Sequence, residues 1–152
     1  MSRLFGSIGI RLGVVGVFLV GGFLFRDLLP GGADDLRVGE CFDEPAMTEA
    51  VSEVQHHPCN ETHDAEVIFV GEHPARAGAA VPTDEEEQAY IAENCIPAFA
   101  AYTGLDYMSQ EVLDIGYFYP LPEGWRDGDR TYICWAYRLD SQTMSQSVKT
   151  AR

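Results

Sequence analysis

The sequence predicts an α+β domain. We expect a small antiparallel sheet of about five strands, one main helix packed on it, two disulfides and a preceding N-terminal transmembrane helix. Three observations support this prediction. Several short segments alternate apolar and polar residues, as strands do, whereas one longer segment has helical spacing. The chain contains four cysteines, an even number. Its N-terminal region holds an apolar run with arginines before it.

The apolar run covers residues 12–25, which include no polar side chain. Extending it back to Leu4 gives about 22 residues that include Arg11, and roughly 20 residues span a bilayer. The long side chain of Arg11 can reach the lipid headgroups. Residues 1–26 are therefore predicted to be a short cytoplasmic stub and a single transmembrane anchor.

The charges around this run set its orientation. Basic residues precede it and acidic residues follow it, which places the N-terminus in the cytoplasm and the remaining chain outside the cell membrane. A signal peptide cleaved after Ala33 is the alternative, because small residues lie at the positions that such a cut requires. Either interpretation exports residues 34–152.

Charge also restricts the partners of the exported part. Beyond residue 26 the chain carries all 24 acidic residues and 7 of the 10 basic ones, a net charge of −17. A surface this acidic repels phosphate backbones and anionic lipid headgroups. Nucleic acid is therefore excluded as a predicted partner.

The elements follow in order. Residues 27–35, rich in proline and glycine, are predicted to be a linker. Strands are predicted in five segments: 36–42, 51–54, 64–72, 114–119 and 131–139. Segment 64–72 has apolar residues on both faces, so we expect a central strand there, next to segment 51–54.

The main helix begins at Thr83, where Thr83 and Glu86 form a capping box. Helical spacing places four residues on one apolar stripe: Ile91, Cys95, Phe99 and Tyr102. Gly104 ends the helix, and Pro97 lies opposite the stripe, where a kink would face solvent.

Two C-terminal segments complete the chain. Residues 121–128 contain proline and glycine and predict a turn that carries Trp125. Residues 141–152 are polar and predict a flexible tail. The folded domain is therefore assigned to residues 36–140.

The four cysteines allow three pairings. Cys95 lies on the apolar stripe of the helix and Cys134 lies within the last strand, so a bond between them would join helix to sheet. Cys41 and Cys59 lie at the ends of consecutive strands. We therefore predict the disulfides Cys41–Cys59 and Cys95–Cys134, which suit an oxidising compartment.

Possible metal sites have structural interpretations that fit better. Zinc ligand types cluster in the first half of the domain: Cys41, His56, His57, Cys59 and His63. The closely spaced cysteine pair of a zinc knuckle is absent from the sequence. Asp127 and Asp129 lack the further ligands of a calcium loop and predict a turn. We therefore predict no metal and no cofactor.

The candidate catalytic pair is His63 and Asp64. Adjacent residues of a strand point to opposite faces, so the two cannot readily orient one another, and a scaffold role is favoured. The sequence also has no Gly-x-Ser-x-Gly elbow and no glycine-rich phosphate loop after a strand. No catalytic residue is predicted, while His63 and Asp64 stay possible binding residues.

Among the aromatic residues, Trp125 is the surface candidate because it lies in a predicted turn. It could stack on a cell-wall sugar or contact a partner protein. The other aromatic residues of the strands and loops are expected to belong mainly to the core: Tyr107, Tyr117, Tyr119 and Trp135.

An ordered set of motifs carries a resemblance to a known family. The motifs are Val38-Gly-Glu-Cys41-Phe-Asp43, Cys59 followed by His63-Asp-Ala-Glu-Val67, Cys95-x3-Phe99-x2-Tyr102-x-Gly104, and Tyr119-Pro120-x4-Trp125-x2-Gly128-Asp-Arg130-x3-Cys134. Over residues 36–140 the chain resembles the septum formation-related domain family, mostly membrane-tethered extracytoplasmic domains of actinobacteria and relatives. Leu121 departs from the threonine that often follows the tyrosine-proline step. The resemblance implies a role near cell-envelope division and brings no established activity.

Three functions follow as hypotheses. The first is a non-enzymatic, membrane-anchored extracytoplasmic domain that binds an envelope or division protein, or a cell-wall glycan. The second is an envelope hydrolase or metal-dependent enzyme that uses His63 with nearby carboxylates. The third is a small-ligand sensor, for which a cytoplasmic stub of about ten residues leaves little means of signalling.

Overall fold

The computed structural model describes residues 30–45 and 51–151. The predicted anchor, residues 1–26, lies outside the described residues, so its prediction is not addressed by the fold. Among the described residues, no helix combines the length and the apolar character needed to cross a bilayer.

The sheet contains six strands: β1 (Pro30–Gly32), β2 (Cys41–Phe42), β3 (Glu53–His57), β4 (Ala65–Glu72), β5 (Leu113–Phe118) and β6 (Thr131–Arg138). Their order is β1-β3-β2-β4-β6-β5, and every neighbouring pair is antiparallel. Strands β2 to β6 form a five-stranded sheet, as predicted, and the short β1 extends it beyond β3.

Two predictions near the N-terminus differ from the structure. The described part of the predicted linker is part of the fold, because residues 30–32 pair with β3 and Ala33–Asp35 form a short 3-10 helix. The side chains of Ala33 and Leu36 are buried in the core. The predicted first strand is reduced to Cys41–Phe42, and these two residues separate β3 from β4, which were expected to be neighbours.

The main helix, α1, spans Asp84–Thr103 as expected. The Thr83 side chain accepts from the Glu86 amide and the Glu86 carboxylate accepts from the Thr83 amide at 2.8 Å, which confirms the capping box. All four residues of the predicted stripe are buried. Pro97 is exposed, and Gly104 ends the helix with a left-handed backbone at φ 74°.

The two faces of the sheet carry two hydrophobic cores. The first lies under α1 and includes Phe99, Cys134 and Trp125. The second lies on the opposite face, where Phe42, Val67 and Trp135 pack with Ala33 and Leu36. Because both faces are covered, the central strand β4 is apolar on both sides, as its sequence predicts.

The disulfides join the same pairs that the sequence predicted, Cys41–Cys59 and Cys95–Cys134. Their Cα–Cα distances are 5.3 and 6.1 Å, within the range that a disulfide requires. They close loops of 18 and 39 residues, which in the chain-entropy description stabilises the fold by about 3 and about 4 kcal/mol. The second bond holds α1 against β6.

The C-terminal segments are more ordered than predicted. The expected turn at 121–128 contains a short helix, α2 (Pro122–Asp127). Residues 141–152 were predicted to form a flexible tail, but within its described part Met144 pairs with His63 through two backbone hydrogen bonds of 2.7 and 2.9 Å. The Thr150 amide also donates to the Tyr102 carbonyl at 2.9 Å, so the tail is bonded to the body of the domain.

Gly116 of β5 gives a test of this packing. A Cβ atom at this position would lie 2.3–2.5 Å from three ring atoms of Trp135, which is fully buried. We therefore expect Gly116→Ala to destabilise the domain by about 1–3 kcal/mol in urea unfolding. Gly124→Ala is the matched control, because its Cβ would meet only ordinary contacts at 3.6 Å. Equal stability of the two variants would contradict the described packing of Trp135.

Candidate functional site

An open groove of about 570 Å³ lies at the end of β5, where the chain passes into α2. It is formed by residues 33–34, by Val51 two residues before β3, by the β5–α2 junction and by the start of β6. The lining residues are Ala33, Asp34, Val51, Tyr117, Phe118, Tyr119, Pro120, Leu121, Glu123, Gly124, Asp129, Thr131 and Ile133. Its size is that of a ligand or peptide site.

The floor of the groove is apolar and rests on the second core. Ile133 is buried, and the Phe118 ring packs on the Trp135 ring at a centroid distance of 4.3 Å. Large apolar side chains are exposed at the mouth: Tyr119 is 42% exposed and Leu121 is 49% exposed. The groove therefore offers apolar surface to a ligand on a firmly packed base.

The rim of the groove is acidic. Asp34, Glu123 and Asp129 are exposed, and no basic residue is among the described residues that line the groove. Asp129 also supports the loop before β6, because its carboxylate accepts from the Thr131 amide at 2.9 Å. A positively charged ligand would gain from this rim, whereas an anionic one would be repelled.

Further carboxylates lie near the mouth on the side of α1. The pKa of the Tyr119 hydroxyl is raised, first by burial and then by the charge of Glu87, with a smaller contribution from Asp84. Both acids belong to the first turn of α1. The end of β5 is thus flanked by negative charge on both faces of the sheet.

Trp125 was predicted to lie on the surface, but the structure buries it. It is 1% exposed, and its indole nitrogen donates to the Ala79 carbonyl at 3.0 Å. The Arg130 guanidinium covers the ring at 3.8 Å from its centroid. The helical turn of α2 directs the side chain inward, so Trp125 is not available to stack on a sugar or a partner.

The side chains of His63 and Asp64 contact different loops. His63 is fully buried, and its Nδ1 lies 2.8 Å from the Glu61 carbonyl oxygen. The Asp64 carboxylate accepts from the Glu44 amide at 3.3 Å. Each side chain therefore supports a neighbouring loop.

Several of the candidate metal ligands have other partners. Cys41, Cys59 and Glu66 bring ligand-type atoms within 4.8 Å of one another, but the two sulfurs are joined in a disulfide. A sulfur in a disulfide is not the thiolate that binds zinc. His57 lies 2.9 Å from an Asp43 carboxylate oxygen. The two cysteines and His57 therefore make contacts within the fold.

Glu66 is the residue that the sequence analysis missed. Its side chain is buried in β4 and accepts from the Tyr102 hydroxyl at 2.5 Å, the Ser147 hydroxyl at 2.6 Å and the Val148 amide at 2.7 Å. Three donors satisfy a buried carboxylate that would otherwise be costly. Its position in a strand with apolar residues on both faces was the available signal, but the donors lie far away in sequence.

The comparison with protein families matches the septum formation model to residues 38–151, which include the tail. The chain belongs to the septum formation family. This membership confirms the resemblance that the motifs carry. Neither a curated protein nor a solved structure matches the chain.

The Glu66–Tyr102 bond predicts how stability depends on pH. Burial, and then the bond to Glu66, raises the pKa of the Tyr102 hydroxyl above its ordinary value of 10.0. A raised pKa contributes stability that is complete below pH 10 and is lost as the pH rises further. We expect Tyr102→Phe to cost about 1.5–3 kcal/mol near pH 8.

The comparison is made by urea unfolding of both chains in detergent. The difference in the free energy of unfolding between wild type and Tyr102→Phe should decrease by about 1 kcal/mol at about pH 11. The reason is that ionisation of the Tyr102 hydroxyl stabilises the unfolded wild-type chain. A gap of the same size at both pH values would contradict the assigned bond.

Proposed function

We propose that this chain is a non-enzymatic, membrane-anchored extracytoplasmic domain that binds an envelope or division protein during septum formation. The observation that carries the proposal is the open groove, with its apolar floor and acidic rim, in a member of the septum formation family. A concave apolar surface with a few placed charges is typical of a binding site.

Export is supported by the cysteines. All four are paired in disulfides, which persist in oxidising compartments outside the cytoplasm and are rare within it. The apolar run at residues 12–25 supplies a means of export and of attachment to the cell membrane. These two observations are independent, and both favour an extracytoplasmic domain anchored by its N-terminus.

A protein partner is favoured over a cell-wall glycan. The glycan hypothesis depended on Trp125, and that ring is buried beneath Arg130. The acidic rim would add little to the binding of a neutral sugar, whereas it adds directly to the binding of a basic protein segment. The same rim disfavours nucleic acid.

The positions of His63 and Asp64 disfavour the enzyme hypothesis. A general base must reach the substrate, but His63 is 0% exposed, and Asp64 contacts the main chain of another loop. The groove itself brings together carboxylates, aromatic rings and aliphatic side chains without a histidine among its lining residues. A binding function uses these side chains as they stand.

Two exposed leucines provide a matched test of the groove in cells. Leu121 is 49% exposed and lines the groove, whereas Leu139 is 51% exposed and follows β6 outside the lining. We expect a C-terminal fluorescent fusion of the native chain to concentrate at the division septum. Leu121→Arg should reduce septal enrichment at least threefold, and Leu139→Arg should not.

The total amount of each fusion protein controls for expression in this test, and membrane fractionation controls for anchoring. A fusion spread evenly over the envelope, or equal loss in both leucine variants, would overturn the proposal that the groove directs septal binding.

A further inference from the structure

We propose that the groove end of β5 binds an extended, positively charged segment of a partner protein by β-strand addition. This inference rests on the proposed function and specifies its ligand. In strand addition, main-chain hydrogen bonds supply affinity and alternate side chains enter pockets that supply specificity.

Within residues 30–45 and 51–151, strand β5 is an edge of the sheet, because it pairs with β6 alone. Its odd-numbered residues direct their main-chain groups away from β6. This follows from the Leu139 amide, which donates to the Val112 carbonyl at 3.1 Å, so the main-chain groups of Val112 face β6. The register has no irregularity along the pair of strands. The main-chain amides and carbonyls of Leu113, Ile115 and Tyr117 therefore point away from β6.

The first half of this edge is closed by its own side chains. The Gln110 side chain accepts from the Leu113 amide at 2.8 Å and donates to the Leu113 carbonyl at 2.6 Å, as a neighbouring strand would. The Asp114 carboxylate accepts from the Ile115 amide at 2.8 Å. Blocked edges of this kind prevent unwanted strand pairing.

The second half of the edge has no such cover within the described residues. Outside the pairing with β6, no hydrogen bond from a described residue reaches the Ile115 carbonyl or the Tyr117 amide and carbonyl. The Tyr117 side chain is held aside, since its hydroxyl accepts from the Gln88 amide group at 2.8 Å. The open groups lead directly into the groove, which Tyr117 itself lines.

Charge indicates which segment fits. Asp34, Glu123 and Asp129 lie around the groove, and Glu87 and Asp84 lie close enough to Tyr119 to act on its hydroxyl. An added strand points alternate side chains to opposite faces. Apolar side chains on one face would pack against the floor of the groove, and basic side chains on the other face would lie near the carboxylates. A second copy of this chain, with a net charge of −14, would be repelled from the same rim.

The probe is a blocked hexapeptide of alternating lysine and valine, added to the full chain in detergent micelles. Residue-resolved hydrogen exchange should show slowing of the Tyr117 amide by at least tenfold at saturating peptide. The Gly116 amide, which faces β6, serves as the internal control and should change by less than twofold. Two peptide controls separate the contributions: glutamate in place of lysine removes the charge match, and proline in place of valine disrupts the ladder.

The acidic rim is tested with paired variants. Asp34→Asn with Glu123→Gln should weaken binding of the lysine–valine peptide about tenfold, because both carboxylates line the groove. Glu93→Gln with Glu111→Gln removes the same charge from exposed residues outside the lining and should change the affinity by less than twofold.

Binding without slowed exchange at Tyr117, equal binding of the glutamate or proline peptide, or no binding at all would overturn the inference. A cell-wall disaccharide that protects the groove in place of the peptide would assign it to a sugar and would also overturn it. If the peptide does not bind but Leu121→Arg still reduces septal enrichment, the proposed function survives and only the inferred ligand is wrong.

Discussion

The Cys95–Cys134 disulfide is the constraint on which the rest of the domain depends. It fixes α1 over β6, and β6 is the strand that pairs with both β4 and β5. With α1 held there, Gln88 reaches the Tyr117 hydroxyl and holds that side chain against the helix. Closing a loop of 39 residues is worth about 4 kcal/mol, a large part of the roughly 5–15 kcal/mol net stability of a small domain.

A buried carboxylate adds a second constraint near the C-terminal end of α1. Glu66 of β4 binds the hydroxyl of Tyr102 and the tail at Ser147 and Val148. The tail in turn pairs with His63, next to the loop that carries Cys59. Sheet, helix and C-terminus are thereby joined through polar contacts that tolerate little displacement, because a buried donor without its partner is costly.

Local signals in the sequence were sufficient for much of the fold. The capping box at Thr83 and the stripe through Cys95 and Phe99 define α1 because they depend on residues within a few turns. The two apolar faces of β4 likewise predicted a central strand. The pairing of Cys95 with Cys134 followed from the same stripe, since the buried face of the helix must meet the sheet.

The predictions that differed from the structure depended on contacts between distant residues. Trp125 lies in a segment rich in proline and glycine, but Arg130 and the Ala79 carbonyl hold it inward within a short helix. The tail is mostly polar, and its bonds are to residues far away in sequence, such as Glu66, which lies 81 residues before Ser147. The groove combines residues 33–34, Val51, the β5–α2 junction and β6, so no single motif could reveal it.

The open edge and the groove acquire their proposed role only if the domain works in an oxidising space outside the cell membrane. The most direct measurement is the thiol state of the chain in living cells. Cells are quenched in acid, free thiols are alkylated under denaturing conditions, and a heavier reagent is added after reduction. We predict that the chain takes up no label before reduction and four labels after it, one for each cysteine. Four labels before reduction would contradict an exported, disulfide-bonded domain.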